Sequence, residues 1–167
     1  MHQMTKANLE AAFAGESQAH MKYKIFADKA EEEGYPEVAR LFRAISFAEQ
    51  VHATNHFRQL QGLQDTEANL GAAIGGEHYE VTEMYPAFDS VAKLQREKGA
   101  VLSIHYALEA EKLHEGMYDA AKKLVDAGKD RPQGPVYICP VCGFTVIGEP
   151  PEKCPVSQTP RAQFVKF

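Results

Sequence analysis

Two stretches of the chain are nearly the same nine residues, and each ends on a glutamate after a mostly apolar run. The first is NLEAAFAGE at residues 8–16, and the second is NLGAAIGGE at residues 69–77. A glutamate on an apolar helix face is costly to bury unless something offsets its charge. The matched glutamates, Glu16 and Glu77, therefore indicate a fold in which both reach a shared positive partner.

A second pair of matched motifs follows the first. FAEQVH carries Glu49 and His52, and EAEKLH carries Glu111 and His114. Residues three apart share a helix face, so each Glu-x-x-His pair can point at one spot. Four glutamates and two histidines would be an untenable cluster of like charge without cations. Two Glu-x-x-His motifs, each paired with an upstream glutamate, are the di-iron carboxylate pattern of helical bundles.

Residues 5 to about 127 are rich in good helix formers and predict four helices. Proline and glycine punctuate the region sparsely, as in EEGYPE, where Pro36 suits the first turn of a helix. Pro86 lies inside the third helix and should kink it. Long amphipathic helices with short connections predict an all-α four-helix bundle. The predicted helices are 5–33, 36–61, 68–97 and 99–127.

Composition and charge argue against several classes of protein. The 167 residues suit one main domain with a small appendage. A net charge of −5 argues against nucleic acid as a partner. No apolar run approaches the length of a membrane span, and MHQMTKANLE has no charged-then-apolar signal region. We therefore expect a cytoplasmic protein without a membrane partner.

The C-terminal region differs in character from the helices. DAGKDRPQGP, residues 126–135, is rich in Gly, Pro and charge, as in a linker. The rest holds short β-type runs and the three cysteines, Cys139, Cys142 and Cys154. In a reducing compartment such a cluster indicates a metal site, and so small a domain usually needs a staple. The predicted domains are a helical domain at 1–127, a linker at 128–135 and a metal-binding domain at 136–167.

The cysteine motifs depart from a four-sulfur site at one position. YICPVCGF supplies Cys-x-x-Cys followed by glycine, a knuckle that suits tetrahedral sulfur ligation. The second half reads CPVS, so Ser157 stands where a fourth cysteine would, followed by Gln158. Three outcomes stay open. Ser157 binds iron as an alkoxide at lower reduction potential, water takes the fourth position, or the knuckle no longer binds metal. We expect one iron or zinc ion there.

Several motifs together resemble one family. FAGESQAHMKY, AEQVH, GEHYEVTEMYP and EAEKLH are similar to the ferritin-like domain of rubrerythrins, and the cysteine tail is similar to their rubredoxin domain. The resemblance spans nearly the whole chain. It implies a ferritin-like bundle with two iron ions that reduces hydrogen peroxide to water in oxidative-stress defence. It also implies electron delivery through the rubredoxin-like centre of a neighbouring subunit, fed by a reduced-nicotinamide-dependent reductase.

The resemblance also implies roles for individual residues. Glu80 lies three residues after Glu77 on the same face, and spacing alone leaves it either a seventh ligand or a solvated glutamate. In the family, the matching glutamate and the histidine matching His52 exchange on one iron with redox state. Tyr23 and Tyr85 match tyrosines that support the site by hydrogen bonding. The implied iron ligands are Glu16, Glu49, His52, Glu77, Glu80, Glu111 and His114.

Other polar residues on these helices receive no such role. We interpret Glu83 as a solvated helix residue. The resemblance supplies no ligand role for the remaining helical histidines, which we interpret as surface or hydrogen-bonded core groups. These are His20, His56, His78 and His105.

The connection between the second and third helices limits the topology. The second helix is roughly 39 Å long, whereas a seven-residue link spans at most ~25 Å and cannot return along it. Either the helices run up-down-up-down, or the second helix pair packs against the first pair of another chain. We favour a domain-swapped homodimer. Each di-iron site would then combine the first helix pair of one chain with the second pair of its partner.

Two rival functions share the same bundle chemistry. A ferroxidase or small iron store would need a cage of many subunits, whereas we predict a dimer. A non-catalytic metal-binding protein or sensor is the third interpretation, and the altered tail favours it. Assembly size and iron-loading stoichiometry separate the store from the enzyme, and the reaction with peroxide separates the sensor.

Overall fold

The computed structural model describes residues 1–130 and 134–167. The contacts between residues group the chain into two compact units, Met1–Gln64 and Asp65–Phe167. Residues 131–133, which belong to the predicted linker 128–135, lie outside the described residues. In the part of the chain that the structure describes, no helix is both long and apolar enough to cross a membrane.

The first unit is a hairpin of two helices, α1 (Gln3–Glu32) and α2 (Pro36–Gln59). Pro36 occupies the first turn of α2, as the sequence predicts. Phe13 stacks on Phe57 with ring centroids 5.1 Å apart, and Glu31 accepts a 2.8 Å hydrogen bond from Arg43. Because an early residue of α1 meets a late residue of α2, and the reverse, the two helices run antiparallel.

The two helices of the hairpin meet along a seam of small side chains, and their outer faces are apolar. Its described buried residues are Ala27, Ala30, Ala39, Ser46 and Ala53. Large apolar side chains are exposed on the same helices, among them Ile25, Phe26, Leu41, Phe47 and Val51. Two helices share only one seam, so their other apolar faces have no cover within the unit. Exposed apolar area of this kind marks a surface that packs against further protein.

The second unit contains three described α-helices, and the sequence predicts the first two of them as a single helix, 68–97. Its described α-helices are α3 (Thr66–Tyr79), α4 (Tyr85–Leu94) and α5 (Lys98–Asp126). Asp65 caps α3, since its Oδ1 accepts a 2.9 Å hydrogen bond from the N–H of Ala68. His78 pairs with Glu115 of α5, and Glu67 pairs with Lys122, so α3 and α5 run antiparallel.

A π-helical turn, Glu80–Met84, separates α3 from α4. The N–H of Tyr85 donates to the carbonyl of Glu80, five residues back. Pro86 has no N–H, and a proline ring clashes with the carbonyl four residues before it, so the wider turn accommodates it. The third predicted helix, 68–97, is therefore not one regular α-helix, and its irregular turn lies just before the proline.

The C-terminal tail is a small sheet around a sulfur-rich core. Its strands, in the order β2-β1-β3 and all antiparallel, are β1 (Val136–Ile138), β2 (Thr145–Ile147) and β3 (Val165–Lys166). The buried core consists of the three cysteines and Phe164, and Tyr106 of α5 packs against it. The tail therefore lies against α5 of its own chain. The predicted fold class, a helical protein with a small C-terminal β and knuckle domain, is confirmed.

Candidate metal centres

Three of the predicted ligands converge on the hairpin of the first unit. Glu16 comes from α1, and Glu49 and His52 come from α2, and one ligand atom of each lies within 4.8 Å of the others. Nδ1 of His52 is 2.9 Å from Glu49 Oε2 and 3.9 Å from Glu16 Oε1. The side chain of His52 is 54% exposed, so this cluster faces outward from the hairpin. We call it the first half-site.

A matching cluster forms in the second unit. Glu77 comes from α3, and Glu111 and His114 come from α5, again with ligand atoms within 4.8 Å of one another. Nδ1 of His114 is 2.6 Å from Glu111 Oε2, and its side chain is 27% exposed. We call this the second half-site. The sequence repeat thus produces the same arrangement twice, with one glutamate on the first helix and Glu-x-x-His on the second.

The carboxylates of the second half-site are electrostatically crowded. Burial, a hydrogen bond with Glu111 and the charges of Glu111, Glu80 and Glu115 raise the pKa of Glu77 to about 7. Burial and the charge of Glu111 also raise the pKa of Glu80, while His114 acts in the opposite direction. A bound cation would relieve this crowding. Carboxylate and imidazole donors suit iron, so the residues present fit the metal that the motif predicts.

Glu80 and Tyr85 stand beside the second half-site. Glu80 opens the π turn, and the charge of Glu111 acts on its carboxyl group. Burial and then the charges of Glu80, Glu111 and Glu77 raise the pKa of Tyr85. Residues five apart lie over one another in a π turn, which explains why Glu80 has the largest electrostatic effect on Tyr85. Both residues therefore lie within electrostatic reach of the predicted ligands.

The remaining residues singled out in the sequence occupy varied surroundings. Tyr23 lies in an aromatic cluster, 6.2 Å from Phe26 and 6.1 Å from Phe42 between ring centroids. Nδ1 of His20 is 2.9 Å from the carbonyl oxygen of Ser46, across the hairpin. The structure places Glu83, His78 and His105 at the surface and leaves His56 half-buried.

Two residues near the second half-site are absent from the sequence-based prediction. Glu115 accepts from His78, with Nδ1 and Oε1 2.9 Å apart, and its charge acts on Glu77. Glu115 lies one helical turn after Glu111, and this spacing could have indicated from the sequence that it lies near the site. Thr145 comes from strand β2, and its Oγ1 lies 2.8 Å from Nε2 of His114. No spacing within the helices could have indicated Thr145.

Thr145 connects the second half-site to the cysteine tail. Its hydroxyl donates to the carbonyl oxygen of Gly143 at 2.9 Å. Since that bond uses the only hydroxyl proton, Nε2 of His114 is the donor to Thr145. Nδ1 then faces the carboxylates, as a metal-binding nitrogen would. A hydrogen-bonded path thus runs from His114 to Gly143, the neighbour of Cys142. This path lies within one chain, whereas the resemblance implies that electrons come from the rubredoxin-like centre of a neighbouring subunit.

The cysteines of the tail form a third cluster. Cys139, Cys142 and Cys154 are buried with their sulfur atoms within 4.8 Å of one another. Burial raises the pKa of Cys139, but hydrogen bonds from Ser157, Thr159 and backbone N–H groups outweigh it and lower the pKa to about 6. Burial raises the pKa of Cys142. Three convergent sulfurs, one readily ionised, fit a metal that prefers thiolates.

Comparison with known proteins covers both the helical region and the cysteine tail. A family model described as Rubrerythrin matches residues 7–122, and one described as "Rubrerythrin, rubredoxin-like domain" matches residues 137–165. The chain belongs to the rubrerythrin family. Rubrerythrin-2 of Clostridium acetobutylicum is 42% identical to it, over 98% of this chain and 97% of that protein. Rubrerythrin of Nitratidesulfovibrio vulgaris is 32% identical, over 96% of this chain and 92% of that protein.

Solved structures of nigerythrin are also similar to this member of the rubrerythrin family. They include a mixed-valence state and a fully reduced, all-ferrous state. Each is 35% identical to this chain, covers 98% of it and 86% of the nigerythrin chain, and has a TM-score of 0.57. The ferritin-like fold is thereby confirmed. So are the predicted cofactor sites, which are glutamate and histidine groups for a di-iron centre and a three-cysteine knuckle in the tail.

Proposed function

We propose that this rubrerythrin-family protein is a di-iron peroxidase. The reaction is the reduction of hydrogen peroxide, in which H2O2, two protons and two electrons give two molecules of water. The two half-sites would hold two iron ions, and that di-iron centre would supply the two electrons of the reaction. The protein's part is to hold the metal ligands, to provide protons beside them and to deliver new electrons.

Groups beside the second half-site are suited to proton supply. Glu80 opens the π turn and lies within electrostatic reach of Glu111 and His114, so its carboxylate can accept a proton and pass it on beside the predicted ligands. The raised pKa of Tyr85 keeps its Oη–H bond intact, so the hydroxyl remains a hydrogen-bond donor. Glu80 can therefore release a proton toward bound substrate, while Tyr85 orients the oxygen that receives it.

The observation that carries the proposal is the hydrogen-bonded path from His114 through Thr145 to Gly143. A peroxidase consumes two electrons in each cycle and needs a donor beside its metal site. An iron store or a sensor has no such requirement. A cysteine knuckle joined by two hydrogen bonds to a metal-binding histidine supports an electron-fed enzyme. We include in this proposal a reductase as the source of those electrons.

We further propose that the enzyme is a domain-swapped homodimer. Each half-site supplies three ligands, which is half of the six-ligand pattern. The link from Leu60 to Asp65 is six residues long and spans at most ~20 Å, whereas the 24-residue α2 is roughly 36 Å long. The exposed apolar faces of α1 and α2 are suited to cover by a second chain. Each site would then join the first half-site of one chain to the second of its partner.

Stopped-flow spectroscopy tests the peroxidase function. The fully reduced protein is mixed without oxygen with hydrogen peroxide and, separately, with oxygenated buffer. We expect fast oxidation by peroxide, slow oxidation by oxygen and repeated turnover when a reductase and reduced nicotinamide are present. When T145V is compared at full iron loading, it should lag behind the native protein in re-reduction. Indifference to peroxide would refute the proposal, and oxygen-driven uptake of many iron ions per chain would replace it with a ferroxidase or iron store.

A further inference from the structure

The second knuckle of the tail lacks a cysteine but keeps the backbone of the first. At Cys139, the N–H donates to the carbonyl five residues later at 2.9 Å, and the N–H four residues later donates back at 3.0 Å. At Cys154, the same two hydrogen bonds measure 2.8 and 3.0 Å. The N–H three residues after each cysteine also points at its sulfur. Ser157 therefore occupies the position that Cys142 occupies in the first knuckle.

The residue after Ser157 retains a conformation that glutamine disfavours. Gly143 has φ +78° in the first knuckle, and Gln158 has φ +63° at the matching place. The left-handed conformation is unfavourable for a residue with a side chain, because its Cβ comes too close to the following carbonyl oxygen. Such a conformation persists only where the surroundings hold it in place. A ligand at Ser157 would account for the retention of this turn after the loss of both the cysteine and the glycine.

The serine hydroxyl completes a tetrahedral set of donors. Oγ of Ser157 is 3.3 Å from Sγ of Cys139, and Sγ of Cys142 is 3.4 Å from Sγ of Cys154. These are opposite edges of a tetrahedron. Bonds of about 2.3 Å to sulfur and 2.0 Å to oxygen predict edges of ~3.5 to 3.8 Å. We propose that Ser157 Oγ is the fourth ligand of an iron ion bound by the three cysteine thiolates.

A second hydroxyl supports an oxygen ligand at this position. Oγ1 of Thr159 is buried and lies 2.7 Å from Oγ of Ser157. A coordinated serine oxygen has lost its proton, so Thr159 is then the donor and stabilises the negative oxygen. Polar groups that hold a ligand in this way typically contribute 10–100-fold to metal affinity. A water ligand would have to take the place of Ser157 Oγ, which already lies between Sγ of Cys139 and Oγ1 of Thr159.

The oxygen ligand has a consequence for the iron. A serine alkoxide is harder than a thiolate and stabilises ferric iron more than ferrous iron. The knuckle therefore gives up its electron at a lower potential than a four-thiolate site would. The first knuckle keeps the full Cys-x-x-Cys-Gly motif, so we assign the lower potential to the oxygen ligand at residue 157. This inference rests on family membership and the tail geometry, so a failure of the proposed peroxidase activity would not refute it.

The test uses the full chain reconstituted with ferrous iron and then oxidised, compared with S157A and S157C. Thiolate-to-iron absorption and the paramagnetic resonance of a mononuclear ferric ion report on the knuckle, because the half-sites contain no sulfur. In ¹⁷O-labelled water, the paramagnetic resonance of the native knuckle iron should be unbroadened, and azide should leave that resonance unchanged. S157A should show broadening and azide binding, and it should lose knuckle iron to a chelator at least about 10-fold faster. S157C should shift the absorption to lower energy and raise the reduction potential.

Each alternative outcome would overturn the proposal. Broadening by labelled water in the native protein would mean that water is the fourth ligand. A native tail that takes up no iron, while S157C does, would mean that serine does not ligate. If S157A does not fold, S157C remains decisive, because a spectrum identical to the native one would place residue 157 outside the coordination sphere.

T159V, which keeps Ser157 but removes its donor, should weaken iron retention about 10-fold.

Discussion

Nε2 of His114 donates a 2.8 Å hydrogen bond to Oγ1 of Thr145, and this contact joins a helix of the bundle to the cysteine tail. Metal-binding histidines usually donate their second N–H to such a partner, which sets the tautomer and the ring orientation. Here the partner comes from the domain that is proposed to supply electrons. The same hydroxyl therefore holds a predicted ligand in place and lies between the two predicted metal sites.

The variant T145V should weaken metal binding at the second half-site. Valine has the shape of threonine but cannot accept from His114, so the imidazole loses its orienting partner. We expect about 10–100-fold lower affinity, measured by competition with a chromogenic chelator. T145S keeps the hydroxyl and should restore most of the affinity. Equal affinities for native protein and T145V would show that the contact has no positioning role.

Two inactive variants should complement each other in a swapped dimer. E16A destroys the first half-site and E77A the second. A swapped heterodimer contains one site with both defects and one site with neither. Random co-assembly should therefore restore roughly a quarter of the native peroxidase activity. If each site came from a single chain, co-expression would restore nothing, so activity no higher than that of either variant alone would exclude the swap.

The metal-free protein should lose stability as the pH rises. The pKa of Glu77 is about 7 in the folded protein against an ordinary value of 4.5. Between these values the folded state holds a proton that the unfolded chain releases, so the free energy of unfolding falls with rising pH and the loss is complete above about pH 7. The loss should be at most about 2 kcal/mol, because the partly exposed site is screened.

Urea denaturation of metal-free protein near pH 5 and pH 8 measures this loss. E77Q cannot ionise and should reduce the difference between the two pH values. E83Q removes an exposed glutamate of the neighbouring turn and should leave the difference unchanged. If E77Q shows the full native pH dependence, another group is responsible for it.

The hydroxyl of Tyr85 should matter to turnover and not to metal loading. Y85F removes a donor beside Glu80 while keeping the ring that packs at 6.5 Å from Phe88. We expect native iron content and a fall in turnover of roughly 10-fold, less than the loss of a general acid would cause, because Tyr85 orients the proton acceptor and does not supply the proton. Y79F alters an exposed tyrosine one and a half turns earlier and is the matched control. Loss of iron from Y85F would indicate a structural role instead.

Much of the bundle could be predicted from the sequence because helices have a fixed period. Residues three apart share a face whatever the rest of the chain does, so Glu49 with His52 and Glu111 with His114 were predictable pairs. The helix ends agree with the prediction to within a few residues for the same reason. The π turn at Glu80 was harder to predict from the sequence. Pro86 indicated an irregularity, but the choice between a kink and a wider turn depends on how the neighbouring helix packs.

The tail shows the opposite case. The sequence pattern located three sulfur ligands and left the role of Ser157 open, because a motif does not say where a hydroxyl lies. The structure places Ser157 Oγ 3.3 Å from a cysteine sulfur and beside Thr159. Thr145 is a clearer example, since it is 31 residues from His114 along the chain. Only packing of the tail on α5 brings the two together.

By itself, the sequence determined the donor atoms, their helical phase and their duplication, because these depend on local geometry that every α-helix shares. Tertiary structure alone decided which nitrogen of His114 faces the carboxylates, which hydroxyl supports it and where Ser157 points. Those relationships join segments far apart in the chain, and their distances follow from side-chain packing that no local period encodes.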